Sequence, residues 1–282
     1  MALNVSDQME RWVMHSNWRA EFWQGVDRLG RMVTVPLDRG LDELDFLAVM
    51  LMSALAGLTI RGQWPFLLRQ TWQQIYFTAA QRASIFTLVG LIIGVLIALP
   101  LIVFGIHDPQ LLGRIMHIMV YHQLGPILAT LFVAGLSGAA ITAELGELRA
   151  DQAIDHLAAM GIDPYSFFVW PRLIGMTLSL LILTFWLNVG VTVGAAIMLD
   201  VYQNIPPSVF FRVCMSGLSG SAMLLTGLMV ASQAVHIILV QSSYAFRVRA
   251  YVDIPRALPN AFAQSFIGCL VITLLFSLLR YG

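Results

Sequence analysis

Lysine is absent from this chain of 282 residues, so all sixteen of its basic residues are arginine. A phosphate-binding P-loop needs a lysine after its glycine-rich turn, and the chain therefore has no nucleotide site of that kind. Charge is scarce, at 11% of residues against 58% hydrophobic, whereas soluble domains carry about 25% charged residues. The two cysteines, Cys214 and Cys269, both lie in apolar runs, which excludes a disulfide framework and a cysteine-based zinc site. The composition predicts an integral membrane protein, and the formal net charge of zero argues neither for nor against nucleic acid.

Five stretches without any charged residue dominate the chain beyond residue 80. Each is longer than the roughly 20 residues that an α-helix needs to cross the hydrocarbon core of a bilayer. They are Ala83–Ile106, Ile115–Ala143, Leu173–Leu199, Val213–Phe246 and Ala257–Leu279. We therefore expect an all-α integral membrane protein with a five-span domain over residues 81–282. The apolar stretch Phe46–Ile60 has 15 residues, which favours a re-entrant or interfacial segment over a sixth span.

Residues 1–80 are predicted to form amphipathic, interfacial and elbow helices. Met9–Val33 combines tryptophans with charged side chains, which is typical of a helix at a membrane surface. Packing of this helix on a neighbouring protein would produce the same pattern. Leu41–Leu58 and Phe66–Ala80 follow as two further helices. The charges and tryptophans near the N-terminus interrupt any apolar core of a signal peptide, which excludes that interpretation.

Arginines are unevenly distributed between the two sides of the predicted spans. Eight lie just before the first span, between the second and third, or between the fourth and fifth, and three lie on the opposite side. Because arginine-rich loops remain in the cytoplasm, we expect a cytoplasmic N-terminus and an exported C-terminus. The polar segment Glu144–Pro171 would then be cytoplasmic.

Glycines recur at helical spacing within the spans. Gly90 and Gly94 lie four residues apart in the first span, and Gly190 and Gly194 lie four residues apart in the third. This spacing lets two helix backbones approach closely in lipid. It is compatible with packing between helices of one chain and with pairing of two copies of the chain.

The polar segment between the second and third spans contains a short amphipathic helix, predicted over Arg149–Met160. Three apolar residues share one face of it: Ile154, Leu157 and Ala158. Gly161 is suited to a left-handed cap, and Pro164 prevents continuation of the helix. A polar helix held between two spans is where a membrane domain meets a soluble partner. The alternative is a helix that lies on the membrane surface.

Five short motifs follow one another between residues 125 and 172. They are Gly125-Pro126, Ala143-Glu144-Leu145-Gly146, Gln152-Ala153-Ile154-Asp155, Gly161-Ile162-Asp163-Pro164 and Pro171-Arg172. Together they resemble the signature of the MlaE/YrbE permeases, the membrane subunits of ABC transporters that work with MCE-domain proteins. Weaker similarity extends from about Leu67 to the C-terminus.

The resemblance implies a permease of the bacterial inner membrane that moves a phospholipid or a similar lipid, with its C-terminus in the periplasm. A second copy of the chain, two cytoplasmic ABC ATPase subunits and a periplasmic MCE-domain hexamer would be its partners, without nucleic acid. ATP and magnesium would be bound by the ATPase, so this chain would carry no cofactor, metal ion or catalytic residue. Coupling to the ATPase would involve eight residues: Glu144, Arg149, Asp151, Ile154, Asp155, Leu157, Ala158 and Gly161.

The chain departs from the family where a lipid cavity is expected. The cavity would be lined by seven residues of the first and second spans: Leu91, Val95, Leu99, Tyr121, His122, Gln123 and Leu124. His122-Gln123 stands where the family usually has Arg-Glu, and Tyr244–Pro259 replaces a glycine-rich loop. The neutral pair suggests a headgroup site that is less selective for charge, or one that responds to pH through His122. Alternatively, the two side chains only form hydrogen bonds between helices.

Two other classes of function are alternatives. Ser137 in a Gly-x-Ser-Gly sequence and His236 in a later span would be the nucleophile and base of a rhomboid-like intramembrane protease. Serine and glycine are also common packing residues in membrane helices. The other alternative is a membrane scaffold without a transport role. His117 and His122 are five residues apart, so we do not expect them to share a face of an α-helix or to form a metal site.

Overall fold

The computed structural model describes residues 64–106, 108–161 and 164–281. Every regular element in these ranges is a helix, and five helices are long and apolar enough to cross a membrane. The expectation of an all-α, five-span membrane protein is therefore confirmed. The predicted helices at Met9–Val33 and Leu41–Leu58, together with the apolar stretch Phe46–Ile60, lie outside the described residues. The division into residues 1–80 and 81–282 stays a prediction.

Eight α-helices make up the described part of the chain. In chain order they are α1 (Trp64–Ile75), α2 (Ala83–Val103), α3 (Pro109–Ala150), α4 (Ala153–Ala159), α5 (Pro164–Gln203), α6 (Pro207–Ser216), α7 (Gly220–Phe246) and α8 (Ile254–Tyr281). The spans are α2, α3, α5, α7 and α8. The helix α3 is continuous but contains two π-helical segments, Met116–Leu124 and Ala134–Gly138, and another π-helical turn, Tyr76–Ala80, follows α1.

The length of α3 positions the polar helix α4. With 42 residues, α3 is about 63 Å long, roughly twice the thickness of the hydrocarbon core. It therefore projects beyond the membrane, and α4 follows its projecting end. The connection between α7 and α8 lies at the same end, because Tyr251 in it donates a hydrogen bond to Asp151. We call this the α4 end of the bundle, and the opposite end, where α6 contacts the start of α3, the α6 end.

Capping side chains fix two helix starts at the α6 end. Asp108 accepts a hydrogen bond from the backbone nitrogen of Gln110 at 3.0 Å, just before α3. Ser219 accepts one from the backbone nitrogen of Ala222 at 3.3 Å, just before α7. The fourth span therefore begins after Ser219, and the uncharged stretch Val213–Phe246 is divided between α6 and α7.

Glycines allow α2 and α5 to form the most extensive helix pair of the bundle. A Cβ atom added to Gly194 would overlap with the carbonyl oxygen of Leu91. One added to Gly190 would lie 3.1 Å from the Cα atom of Gly90. Backbone therefore meets backbone at this contact. Because both helices belong to one chain, the glycine motifs serve packing within the chain, one of the two alternatives that the sequence allows.

A buried glutamine supports the second π-helical segment of α3. The side chain of Gln241, on α7, donates from Nε2 to the carbonyl oxygen of Ala134 at 3.4 Å and accepts a hydrogen bond from Thr142. The carbonyl oxygen of Ala134 also accepts the π-helical hydrogen bond from the backbone nitrogen of Ala139, so the side-chain amide of Gln241 adds a second donor to it. Gly138 lies against the Gln241 side chain and leaves it room. The helix α7 therefore stabilises the wide turn of α3.

Candidate functional site

The short polar helix α4 begins later than the sequence predicts. The helix α3 continues through Arg149, and Gln152 then adopts a left-handed backbone with φ of 58°. A residue in this conformation interrupts a right-handed helix, so the prediction of one helix over Arg149–Met160 is wrong at its start. Gly161, with φ of 77°, has the left-handed conformation predicted for the end of the helix. Pro164 then starts α5.

Side chains from three elements hold α4 against the bundle. Ile154 is 4% exposed and lies inside the protein. Asp155 forms an ion pair with Arg149 at the end of α3. Asp151, in the turn before α4, accepts a hydrogen bond from Tyr251 in the α7–α8 connection. The position of α4 is therefore fixed relative to both α3 and the start of α8.

An ion pair joins the two helices that flank α4. The guanidinium group of Arg172 on α5 lies 2.7 Å from a carboxylate oxygen of Glu144 on α3. The same guanidinium donates to the carbonyl oxygen of Phe168 at 3.0 Å and lies over its ring. The Arg172 side chain is only 11% exposed, so the carboxylate of Glu144 neutralises a charge close to the apolar part of the bundle.

The apolar surface that α4 presents differs from the predicted stripe. Ile154 is buried, Leu157 is half-buried and Ala158 is exposed. Met160 is 67% exposed and extends this surface. Sequence reasoning missed Met160 because it lies outside the i, i+3, i+4 stripe. We call Leu157, Ala158 and Met160 the α4 surface; Ala159, which lies between them in the sequence, is exposed as well.

A basic cleft of about 410 Å³ lies beside α4. Arg149 and Asp155 line it on the side of α3 and α4, and Arg247 and Arg249 line it from the end of α7. Three guanidinium groups therefore accompany one carboxylate. Such an excess of positive charge favours contact with an acidic surface.

At the α6 end, the first π-helical segment of α3 brings two histidines together. The Nε2 atoms of His117 and His122 are 3.0 Å apart, and their ring centroids are 4.4 Å apart. Hydrogen bonds in a π-helix connect residues five apart, so side chains at this spacing share a face, which they do not in an α-helix. The expectation that these two histidines lie on different faces is therefore wrong.

His122 is at the centre of hydrogen bonds between α3, α7 and α8. Its Nδ1 atom lies 2.7 Å from the hydroxyl oxygen of Thr226, and Arg280 donates to the same oxygen at 2.9 Å. The neighbouring Gln123 donates to the hydroxyl of Ser277 at 3.3 Å. We call His117, His122, Thr226 and Arg280 the polar cluster. Sequence reasoning missed Thr226 and Arg280, which lie on helices far along the chain.

The other predicted cavity residues lie on two helices that both pack against α5. Tyr121, on α3, shares a hydrogen bond with Thr192 of α5, with 2.7 Å between the hydroxyl oxygens. Leu124 is half-buried on the same helix. The three residues predicted on α2 are all half-buried: Leu91, Val95 and Leu99. Phe86 of α2 and Phe132 of α3 make an edge-to-face contact, with 5.7 Å between ring centroids.

Ser137 and His236, the alternative nucleophile and base, have other neighbours. The hydroxyl of Ser137 accepts a hydrogen bond from Arg82 at 2.5 Å. The ring of His236 lies against Gly268 of α8, where an added Cβ would overlap with it. A guanidinium group stays protonated and cannot act as a general base. The geometry around Ser137 therefore does not support a protease.

Five apolar spans, with a polar helix held at one end and a polar cluster at the other, define a helical membrane protein. The family model described as Permease MlaE matches residues 71–279. The chain belongs to this family, as the motifs between Gly125 and Arg172 indicate.

Individual relatives support the same assignment. The chain is 27% identical over 210 residues to the intermembrane phospholipid transport system permease protein MlaE of Haemophilus influenzae, covering 73% of this chain and 77% of that protein. It is 29% identical over 149 residues to a probable ABC transporter permease protein of Synechocystis sp., covering 51% and 56%. A shorter match, 33% identical over 73 residues, is to the chloroplastic protein TRIGALACTOSYLDIACYLGLYCEROL 1 of Arabidopsis thaliana, covering 26% and 21%.

Proposed function

We propose that this chain is the permease subunit of an ATP-driven transporter in the bacterial inner membrane. The transporter exchanges a phospholipid-class lipid between that membrane and a periplasmic ring of MCE-domain protein. The family match over residues 71–279 carries the proposal, since phospholipid transport is named for a relative that aligns with 73% of this chain. A separate ATPase subunit binds ATP and magnesium and hydrolyses ATP, whereas this chain supplies the path through the membrane.

The proposed assembly contains two copies of this chain, two ATPase subunits and one MCE hexamer. The spans α2 and α8 are the least buried of the five, and their exposed aliphatic side chains offer apolar faces to a second copy or to lipid. The α4 surface enters a groove on the ATPase, in the manner of an amphipathic helix in a hydrophobic groove. The basic cleft beside α4 adds an electrostatic contact to the same subunit.

The lipid path needs an apolar wall for acyl chains and polar groups for the headgroup. The half-buried aliphatic residues of α2, Leu91, Val95 and Leu99, are our proposal for the wall. Tyr121 to Leu124, with the hydroxyl and amide groups that already bond to neighbouring helices, are our proposal for the polar end. In this arrangement the headgroup lies toward the α6 end and the ATPase binds at the α4 end.

The orientation of the chain is testable with reporter fusions. We expect alkaline phosphatase fused after Gly282 to be active and green fluorescent protein fused there to be dark, because arginine-rich connections hold the α4 end in the cytoplasm. Fusions after Gly161, at the end of α4, should give the opposite signals and serve as the control. Fluorescence at Gly282 together with phosphatase activity at Gly161 would reverse the proposed orientation.

The proposed transport is testable in proteoliposomes that contain the complete complex. ATP should drive a fluorescent phospholipid from the bilayer to the MCE-domain protein, or in the reverse direction, at a rate well above that with a non-hydrolysable ATP analogue. Hydrolysis of ATP that moves lipid in neither direction would contradict the proposal.

A further inference from the structure

A cleft of about 380 Å³ opens at the α6 end between α3, α7 and α8. We call it the Arg280 cleft. Its lining combines His117, His122 and Arg280 of the polar cluster with the apolar side chains of Ile118, Leu225 and Leu279. Leu278 and Leu279 of α8, beside Arg280, are 61% and 76% exposed. A cationic group thus lies next to an apolar surface. This arrangement is complementary to a lipid, whose anionic headgroup lies next to its acyl chains.

Arg280 carries a charge that the described residues do not neutralise. Its Nη2 atom donates to the carbonyl oxygen of Ala222 at 3.0 Å and to the hydroxyl of Thr226 at 2.9 Å. Both acceptors are neutral. Among the described residues, ion pairs join Arg149 to Asp155 and Arg172 to Glu144, and neither pair involves Arg280. At the end of a membrane helix an arginine side chain reaches the interface, where lipid phosphate groups lie, and its planar fork of donors matches phosphate oxygens.

The hydrogen bonds of the polar cluster fix the position of the Arg280 guanidinium group. The Thr226 hydroxyl donates to the carbonyl oxygen of Ala222 at 2.9 Å, so it accepts from both Arg280 and the Nδ1 of His122. The Nε2 of His122 is then an acceptor, and His117 donates to it. The Nδ1 atom of His117 is left shielded from solvent, with no hydrogen-bond partner in the described part of the chain. In this tautomer the Nδ1 atom of His117 is an acceptor, so it is not a ligand for a phosphate oxygen, which is itself an acceptor.

We infer that the Arg280 cleft binds the phosphate group of a lipid, with Arg280 as its cationic ligand and the aliphatic face of α8 beside its acyl chains. The inference rests on the proposed function, since it assigns the headgroup contact of the transported lipid to residues of this chain. Arg280 is then the residue that distinguishes a phospholipid from a lipid without phosphate. The histidine pair and Thr226 hold its guanidinium group in place.

The test compares two lipids that share their acyl chains, phosphatidylglycerol and diacylglycerol, each with a different label. The purified full-length chain is equilibrated with mixed micelles that contain equal amounts of both, and the bound ratio is counted. The wild-type chain should favour phosphatidylglycerol. Arg280→Gln should lower this preference about tenfold, as expected for a lost charge-assisted hydrogen bond, without changing diacylglycerol binding. Arg280→Lys keeps the charge but loses the planar fork of donors, so its bound ratio should lie between those of the wild-type chain and Arg280→Gln.

The matched control is Arg212→Gln, which removes an exposed arginine of α6 at the same end of the bundle. It should leave the bound ratio unchanged. An equal ratio for the wild-type chain and Arg280→Gln would overturn the inference. So would tight binding of inorganic phosphate by a wild-type chain that does not discriminate between the lipids, since that marks a site for free anions. A further possible result is that Arg280→Gln loses the permease dimer and keeps its lipid preference. That result would mean that Arg280 pairs with a carboxylate of a second copy, and it would equally overturn the inference.

These outcomes are separate from failure of the proposed function. A wild-type chain that binds both lipids equally, within a complex that still moves lipid with ATP, would remove the Arg280 site and leave the transporter assignment in place. A complex that moves no lipid would remove the proposed function, whatever the bound ratio.

Discussion

Aspartate in place of Leu157 is expected to release the ATPase from the permease while the permease still inserts into the membrane. Leu157 is the half-buried centre of the α4 surface, and full burial of a leucine contributes about 1.5–3 kcal/mol to an apolar contact. A carboxylate in an apolar groove adds a desolvation cost. Together these effects predict that the ATPase recovered with tagged permease falls by at least about tenfold. The measurement is the ratio of ATPase to permease after affinity purification.

Met215→Asp is the matched control for this variant. Met215 is 68% exposed on α6, so the change again places a carboxylate at an exposed apolar position, but at the opposite end of the bundle. It should retain the ATPase. Full recovery of the ATPase with Leu157→Asp would show that the α4 surface is not the docking site.

Leucine in place of Gly194 is expected to prevent assembly of the membrane domain. The added Cβ atom would overlap with the carbonyl oxygen of Leu91, a backbone atom that cannot move aside by rotating. Overpacking typically costs about 1–3 kcal/mol, and a backbone contact in the most extensive helix pair belongs at the upper end of that range or beyond it. The measurement is the height of the monodisperse peak in size-exclusion chromatography of detergent-extracted protein.

Gly227→Leu makes the same change at a glycine of α7 that has nothing within 4 Å of an added Cβ atom. This variant should give a peak close to that of the wild-type chain. Equal peaks for Gly194→Leu and Gly227→Leu would mean that the α2–α5 contact contributes little to folding. They would also reopen the alternative that the glycine motifs pair two copies of the chain.

The spans and the family could be predicted from the sequence because their signals are local. A long uncharged run is sufficient to identify a membrane helix, and each of the five runs overlaps one of the five spans. Gly161 was predicted as a left-handed cap because glycine is the usual residue there. Gln152 has the same backbone conformation, but its residue type does not indicate it, so the break between α3 and α4 was missed.

The polar cluster could not be predicted, because it depends on helix geometry and on contacts between distant residues. In a regular α-helix His117 and His122, five residues apart, would lie on different faces. Only the π-helical segment places them on one face. Arg280 reaches Thr226 across 54 residues of sequence. Neither residue belongs to a recognisable motif, and a contact of this kind becomes visible only when the packing of α7 against α8 is known.

Native mass spectrometry of the complex purified in lipid nanodiscs tests the central claim most directly, because one spectrum reports the subunits and the bound lipid together. The account predicts an assembly with two copies of the 31.2 kDa chain, two ATPase subunits and bound phospholipid. A chain that carries neither an ATPase nor a phospholipid under conditions that keep the membrane domain folded would contradict it.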